Sequence, residues 1–225
     1  MKYSKSETQS KVHAQPELKF ESQALTSFAG LVIFQKFFAS IELKNRLRTC
    51  FTQLNHGKIF NRSTLFMQLI IHLLLGYREL NDARYYQEDP LVKRLLGLTR
   101  IPDVATISRF LKEATAQTTQ NLRRCLQEMV LTRLQMIAPP RLTLDFDGSV
   151  QSTKRRAEGS AVGFNKKKKG ARSYYPLFCT IAQTMQVLDF LHRPGNVHDS
   201  NGAKTFILAC IDAVQAILPS TQIEV

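Results

Sequence analysis

Arg141-Leu-Thr-Leu-Asp-Phe-Asp-Gly-Ser-Val150 decides the fold. Leu142, Leu144 and Phe146 alternate with polar residues, the period of a strand with one buried face. Successive side chains of a strand point to opposite sides, so Asp145 and Asp147 reach one face together near its C-terminal end. Carboxylates so placed can hold a metal, and they can equally be a solvated edge or structural ion-pair partners; both readings stand. Cations crowd the same stretch: Lys154-Arg155-Arg156, Lys166, Lys167, Lys168 and Lys169, then Arg172. An acid pair among cations points to a polyanionic substrate, above all nucleic acid.

Whole-chain composition agrees. The 225 residues carry a formal charge of +13 and a pI near 9.8, which favours a polyanionic partner. Hydrophobic residues make up 44%, enough to bury a sizeable core in one or two domains. Cys50, Cys125, Cys179 and Cys210 are widely separated and show no CxxC spacing, so neither a zinc site nor a disulfide framework is indicated. Reduced core thiols in a cytoplasm are expected. The most apolar run, Phe66 to Leu75, is far shorter than the roughly 20 residues that span a bilayer.

N-terminal to the strand the pattern is helical. Residues 1–20 are polar and aperiodic, the composition of a disordered tail. Phe28, Leu31, Val32, Phe34, Phe37 and Phe38 form an aromatic stripe at helical spacing, expected to face a core. Ser63-Thr64 begins a helix through Leu75 that Gly76 closes; Arg78 to Tyr86 reads as another, stopped at Asp89-Pro90; Leu91 to Leu96 is a short one ended by Gly97. Asp103 then caps a helix through Ile107 and Phe110. That pair of helices around a glycine turn has two readings. It is a helix-turn-helix with Arg84, Lys93, Arg94, Arg100, Arg109 and Lys112 on phosphates, or an ordinary helical pair with solvated charges. Gln120 to Ile137 is a long amphipathic helix, and Pro139-Pro140 after it marks the boundary between a helical domain over residues 21–138 and a second domain over 141–225.

C-terminal to the first strand, Gln151 to Arg172 reads as a loop or hairpin tip. Tyr174 to Gln183 and Val187 to Arg193 read as strands joined near Thr184-Met185-Gln186, Asp199-Ser200 as the cap of a helix to Leu218, and Gln222-Ile-Glu-Val225 as the start of a further strand. Strand, strand, strand, helix, strand is the order of a ribonuclease H-like core with the first strand at its centre. Many unrelated α/β domains share such orders.

Four patches, in order, resemble the catalytic domain of DDE-type insertion-sequence transposases of the group 1 branch. They are Leu144-Asp-Phe-Asp-Gly-Ser149, Glu158-Gly-Ser-Ala-Val-Gly-Phe-Asn165, Tyr174-Tyr-Pro-Leu177 and Arg193-Pro-Gly-Asn-Val-His-Asp-Ser-Asn-Gly-Ala203. Gly76-Tyr-Arg-Glu-Leu80, Asp89-Pro90 and Thr106-Ile-Ser-Arg-Phe110 are similar to the family's N-terminal region, so the resemblance covers most of residues 25–225.

The resemblance implies an α plus α/β protein: a helical N-terminal domain followed by a ribonuclease H-like domain. It puts the first catalytic acid on Asp147, with Asp145 as the alternative metal ligand, and implies Mg²⁺ or Mn²⁺ as cofactor. Two such ions about 4 Å apart activate the attacking oxygen and stabilise the leaving one in phosphodiester displacement. Double-stranded DNA at transposon ends is the implied partner, contacted by Lys154 to Arg156, Lys166 to Lys169, Arg172 and Arg109. Arg193 is expected either to bind phosphate or to pin its turn. A homo-oligomer or a full-length transposase is a further expected partner, and a bacterial cytoplasm, at the nucleoid, the expected location. The family's second Asp and its Glu lie downstream of the fourth strand, where this sequence stops, so the sequence reads as a truncated, incomplete catalytic domain. Two functions follow: a DNA transposase, or a non-catalytic DNA-binding remnant that binds transposon ends or a full-length enzyme.

Overall fold

A computed structural model describes residues 24–54, 59–153, 157–163, 165 and 167–225. The tail expected over residues 1–20 lies outside them. The helical part runs α1 (Leu31–Ser40), α2 (Leu43–Cys50), α3 (Arg62–Leu74), a 3-10 helix (Leu80–Tyr85), α4 (Pro90–Leu96), α5 (Val104–Lys112) and α6 (Ala116–Ile137). Their ends follow from local chemistry. The Asp89 carboxylate accepts from the amides of Leu91 and Val92, Pro90 occupies the first turn of α4, and Gly97 closes it at φ 69°. Asp103 caps α5 by accepting from Thr106 N at 2.7 Å, and Thr115 caps α6 through Thr118 N. Pro139-Pro140 follows the left-handed Ala138 at the end of α6.

Two apolar clusters hold these helices together. Leu31, Leu43, Leu47, Ile71, Tyr86, Val92 and Ile101 form one; Cys50, Phe51, Leu65, Ile107, Phe110 and Cys125 form the other. The aromatic stripe of α1 is only partly core. Leu31 is buried and Phe28, Phe34 and Phe38 pack against it, but Val32 and Phe37 are 48% and 53% exposed.

After α6 the chain forms β1 (Arg141–Gly148), a small sheet, then β5 (Leu177–Ile181), β6 (Gln186–Leu191), α7 (Ala203–Ile217) and β7 (Gln222–Glu224). The main sheet is ordered β6-β5-β1-β7, with β1 antiparallel to β5 and parallel to β7. The alternation seen in sequence sets its faces. Leu142 and Leu144 are buried with Cys179, Ile181, Leu188, Phe206 and Val214, and Phe146 meets Phe206 edge to face at 5.9 Å. Each such aliphatic side chain contributes about 1.5–3 kcal/mol by leaving water, so this face fixes the register. The other face carries Asp145 and Asp147.

Helix α6 serves both parts. Val130 and Leu134 belong to the sheet core, with Leu126 and Leu131 packed against it, while Leu122 and Met129 pack against both helical clusters and Cys125 belongs to one. A two-point ion pair adds direction: Arg123 Nε and Nη2 donate to the Asp189 carboxylate on β6 at 3.0 and 2.7 Å.

Several local expectations are corrected. Arg78 to Tyr86 is a single 3-10 stretch from Leu80, and α2, basic and amphipathic, went unpredicted. The strand expected from Tyr174 is broken at Tyr175-Pro176, with Tyr174 ending β4 (Arg172–Tyr174) and Leu177 opening β5. The expected loop over Gln151 to Arg172 contains two short strands, β2 (Gln151–Ser152) and β3 (Ala161–Val162), which flank β4 (Arg172–Tyr174) in a small sheet ordered β2-β4-β3. Asp199-Ser200 does not cap α7; Gly202 does, at φ 71°, with no side-chain bond. Among the described residues no helix is long and apolar enough to cross a membrane.

Candidate functional site around Asp147

Asp147 lies near the C-terminal end of β1, paired with Phe178 of β5, which pairs in turn with Phe190 of β6. Asp145 sits two residues earlier opposite Thr180, on the same exposed face. Behind this strand end, Gly148 has no side chain for a reason: a Cβ there would lie 2.5 Å from the Tyr175 hydroxyl. The Tyr175 ring fills that space. Its hydroxyl is pushed above the ordinary phenol range by the hydrogen bond to Asp199, then by burial and the Asp199 charge, with Asp147 adding to the effect and Arg193 opposing it.

Arg193 frames the same corner. It is only 4% exposed, and its guanidinium lies over the Tyr175 ring at 5.1 Å. Nε donates to Tyr175 O at 3.0 Å, and Nη1 donates to the carbonyls of Asp199 and Asn201 at 2.8 and 3.1 Å. These three bonds tie the guanidinium to the backbone of Tyr175, Asp199 and Asn201. The turn itself is close packed: a Cβ on Gly195 would meet Ser173 Oγ at 2.2 Å, and one on Gly163 would meet Gly195 O at 1.7 Å.

The expected cations separate into groups. Lys154, Arg155, Arg156 and Lys166 lie outside the described residues. Lys167, Lys168 and Lys169 are exposed on a turn built by Asn165, whose buried carboxamide oxygen accepts from the amides of Lys167 and Lys168 at 3.1 and 3.0 Å. Asn165 Nδ2 donates to Ser152 Oγ at 2.8 Å, tying the lysine turn to β2, a few residues after Asp147. Arg172 is half-buried and donates to the hydroxyl and carbonyl of Ser160, so it braces the small sheet. Arg109 belongs to the helical part, exposed on α5. Asp145 and Asp147 thus share the exposed face of β1, the lysine turn is tied to β2, and Arg109 lies on α5 in the helical part.

Asn165 and Tyr175 were absent from the sequence-derived candidates. A signal existed for the first, since an Asn just before a charged run is the composition of a side-chain-closed turn. None existed for Tyr175, whose role depends on a glycine distant in sequence.

The oxygens of Asp145 and Asp147 suit a hard divalent cation such as Mg²⁺ or Mn²⁺. Their chemistry fits such an ion. Among the described residues no group of three or more His, Cys, Asp or Glu side chains stands where it could hold a metal. Asp189 is engaged by Arg123, and Asp199 by Tyr175.

Among known families, the model described as transposase DDE domain group 1 aligns with residues 8–225, nearly the whole chain. No curated protein sequence matches closely enough to add a relative.

Proposed function

Because the chain belongs to the group 1 DDE-domain transposases, we propose that it acts in DNA transposition, binding transposon-end DNA and contributing Asp147 to a metal-dependent strand-cleavage centre. The observation that carries this reading is the position of Asp147, exposed at the end of a central strand and followed in the chain by an exposed lysine turn. Support for a ribonuclease H-like core comes from the order β6-β5-β1-β7, with an antiparallel second and third strand and a helix leading to a parallel fourth. In this reading Asp147 holds the cation and Asp145 assists; the metal, when bound, supplies charge stabilisation at the displaced phosphodiester.

The chain's own residues do the rest. Lys167, Lys168 and Lys169 attract the phosphate backbone, together with Lys154, Arg155, Arg156 and Lys166, with an affinity that falls steeply as salt rises. Arg109 adds a contact from the helical part. Tyr175, Arg172 and Arg193 hold the frame within which the strand end and the lysine turn keep their places.

A second reading is favoured by one observation, that Asp145 and Asp147 gather no third acid among the described residues. It is a DNA-binding protein that occupies transposon ends, or pairs with a complete transposase, without cutting by itself.

One experiment separates the two. The 225-residue chain is incubated with labelled duplex bearing the element's terminal sequence, in Mg²⁺ or Mn²⁺, alongside Asp147→Asn. Binding by both proteins with cleavage by the wild type alone establishes the first reading; binding without cleavage establishes the second. Cleavage unaffected by Asp147→Asn removes Asp147 from the centre, and loss of duplex binding by neither Lys167→Ala, Lys168→Ala nor Lys169→Ala, even combined, removes the lysine turn as the DNA contact.

A further inference from the structure

Away from the sheet, the N-terminal ends of α3 and α5 meet at a recess of about 380 Å³. Three guanidinium groups line it: Arg62 in the first turn of α3, Arg100 just before α5, and Arg109 on α5. Their local partners leave them underused. Arg62 pairs with Glu113, yet its Nε is buried with no hydrogen-bond partner. Arg109 spends its bonds on its own helix, to Ala105 O at 3.3 Å and Thr106 Oγ1 at 3.2 Å. Arg100 makes no hydrogen bond or ion pair among the described residues and only attracts Asp103 through space.

The acids at the recess are already committed. Asp103 caps α5, and Glu113 neutralises Arg62. Three fixed cations against two engaged carboxylates leave the recess positive, and the partial positive charge of two helix starts adds to it. Phe60 and Leu65 supply an apolar wall on the same recess.

We propose that this recess binds the phosphoryl group of a nucleotide, with Arg100 and Arg109 as the principal ligands and the sugar or base against Phe60. Guanidinium groups match phosphate oxygens in two-point geometry, which an ammonium cannot. The Arg62 guanidinium lines the same recess and adds its charge. An apolar wall beside three arginines suits a nucleotide better than a bare inorganic anion. The nucleotide is either a residue of bound DNA or a free mononucleotide. The DNA source rests on the DNA-binding reading above; the phosphoryl chemistry does not.

The test uses the full chain and its Arg100→Gln/Arg109→Gln variant, both side chains being exposed and so replaceable without disturbing the core. Binding of dAMP, inorganic phosphate and a fluorescent duplex is titrated across a salt series, with circular dichroism confirming the fold. The expected result is a loss of tenfold or more for at least one nucleotide ligand, with the duplex salt slope falling by about 2, roughly one for each lost phosphate contact. A duplex effect without dAMP binding identifies bound DNA as the source; a dAMP effect with unchanged duplex affinity identifies the free nucleotide. If the wild type binds dAMP but no duplex, the DNA-binding reading fails and the recess stands. Binding of neither dAMP nor duplex by the wild type, or equal affinities of the two proteins for both dAMP and duplex, overturns the proposal.

Discussion

Gly163→Ala tests the clasp between the small sheet and the turn after β6. A Cβ at this position would lie 1.7 Å from Gly195 O, 2.4 Å from Gly195 C and 2.8 Å from Asn196 Cα. All three are backbone atoms, so no rotamer change relieves the contact. Ordinary contact begins near 3.4 Å, and the two backbone segments must therefore part by about 1.7 Å, the difference between the two distances. A shift of that size breaks the bond from Gly195 N to Ser173 O, now 2.9 Å, and loosens the one from Tyr175 N to Arg193 O, now 2.8 Å. Overpacking costs about 1–3 kcal/mol and a lost hydrogen bond about 1 kcal/mol, so the variant is expected to lose about 3 kcal/mol. For a chain of this size that lowers Tm by roughly 6–12 °C. Thermal unfolding followed by circular dichroism measures it, with Gly30→Ala as the control, since nothing lies within 4 Å of a Cβ there and its φ of −58° suits any residue. The lysine turn hangs from the same small sheet, so duplex affinity should fall too. A Gly163→Ala protein that melts with the wild type and binds DNA equally would refute the close-packed clasp.

Arg123→Ala should destabilise the chain by about 2–3 kcal/mol, because Asp189 is only 14% exposed and loses both charge-assisted bonds. Denaturant titration should show the Arg123→Ala/Asp189→Ala double variant recovering part of that loss. Asp103→Ala removes the α5 cap at a cost of about 1 kcal/mol near neutral pH. Hydrogen bonds from Thr106 hold the Asp103 carboxyl below its ordinary range. Its contribution is therefore complete above the unfolded carboxyl pKa of about 3.9 and vanishes as pH falls through the lower folded value. A wild-type-minus-variant difference that persists unchanged below that range would contradict the capping account. Cys50, Cys125, Cys179 and Cys210 are all free and buried, so a thiol reagent should label them at the rate of unfolding; fast labelling of the native chain would place at least one at the surface.

Much of the sheet was legible because β1 follows a strict period of two and one face must be dry. The helix start at Asp103 was legible for a similar reason: a carboxylate before an apolar run satisfies amides that have no other partner. Where the reading missed, the cause is tertiary. Strands of two or three residues such as β2, β3 and β4 carry no period to detect, and α2 presents a charged sequence whose Leu43 and Leu47 gain meaning only against α3 and α6. Gly202 rather than Asp199 starts α7, in a left-handed conformation at φ 71° that glycine adopts without strain. In the candidate site, Asp145, Asp147 and the lysine run were visible as charges in a row. The internal engagement of Arg172 and Arg193 was not, since composition cannot distinguish a cation facing solvent from one bonded to carbonyls.

The long helix before the proline pair has a consequence for how the molecule comes apart. One side of α6 is buried in the sheet core through Val130 and Leu134, and another in the helical clusters through Leu122 and Cys125. A protease cut at Pro139-Pro140 would therefore not release two finished pieces. The N-terminal fragment would keep α6 and expose Leu126, Val130 and Leu134 to water, while the C-terminal fragment would lose the cover over Leu188 and its neighbours. Nicked chains should stay associated until denaturant separates them, and the helical and sheet signals should vanish at one concentration. The prolines mark where the backbone changes its habit; the seam of cohesion runs along the helix itself.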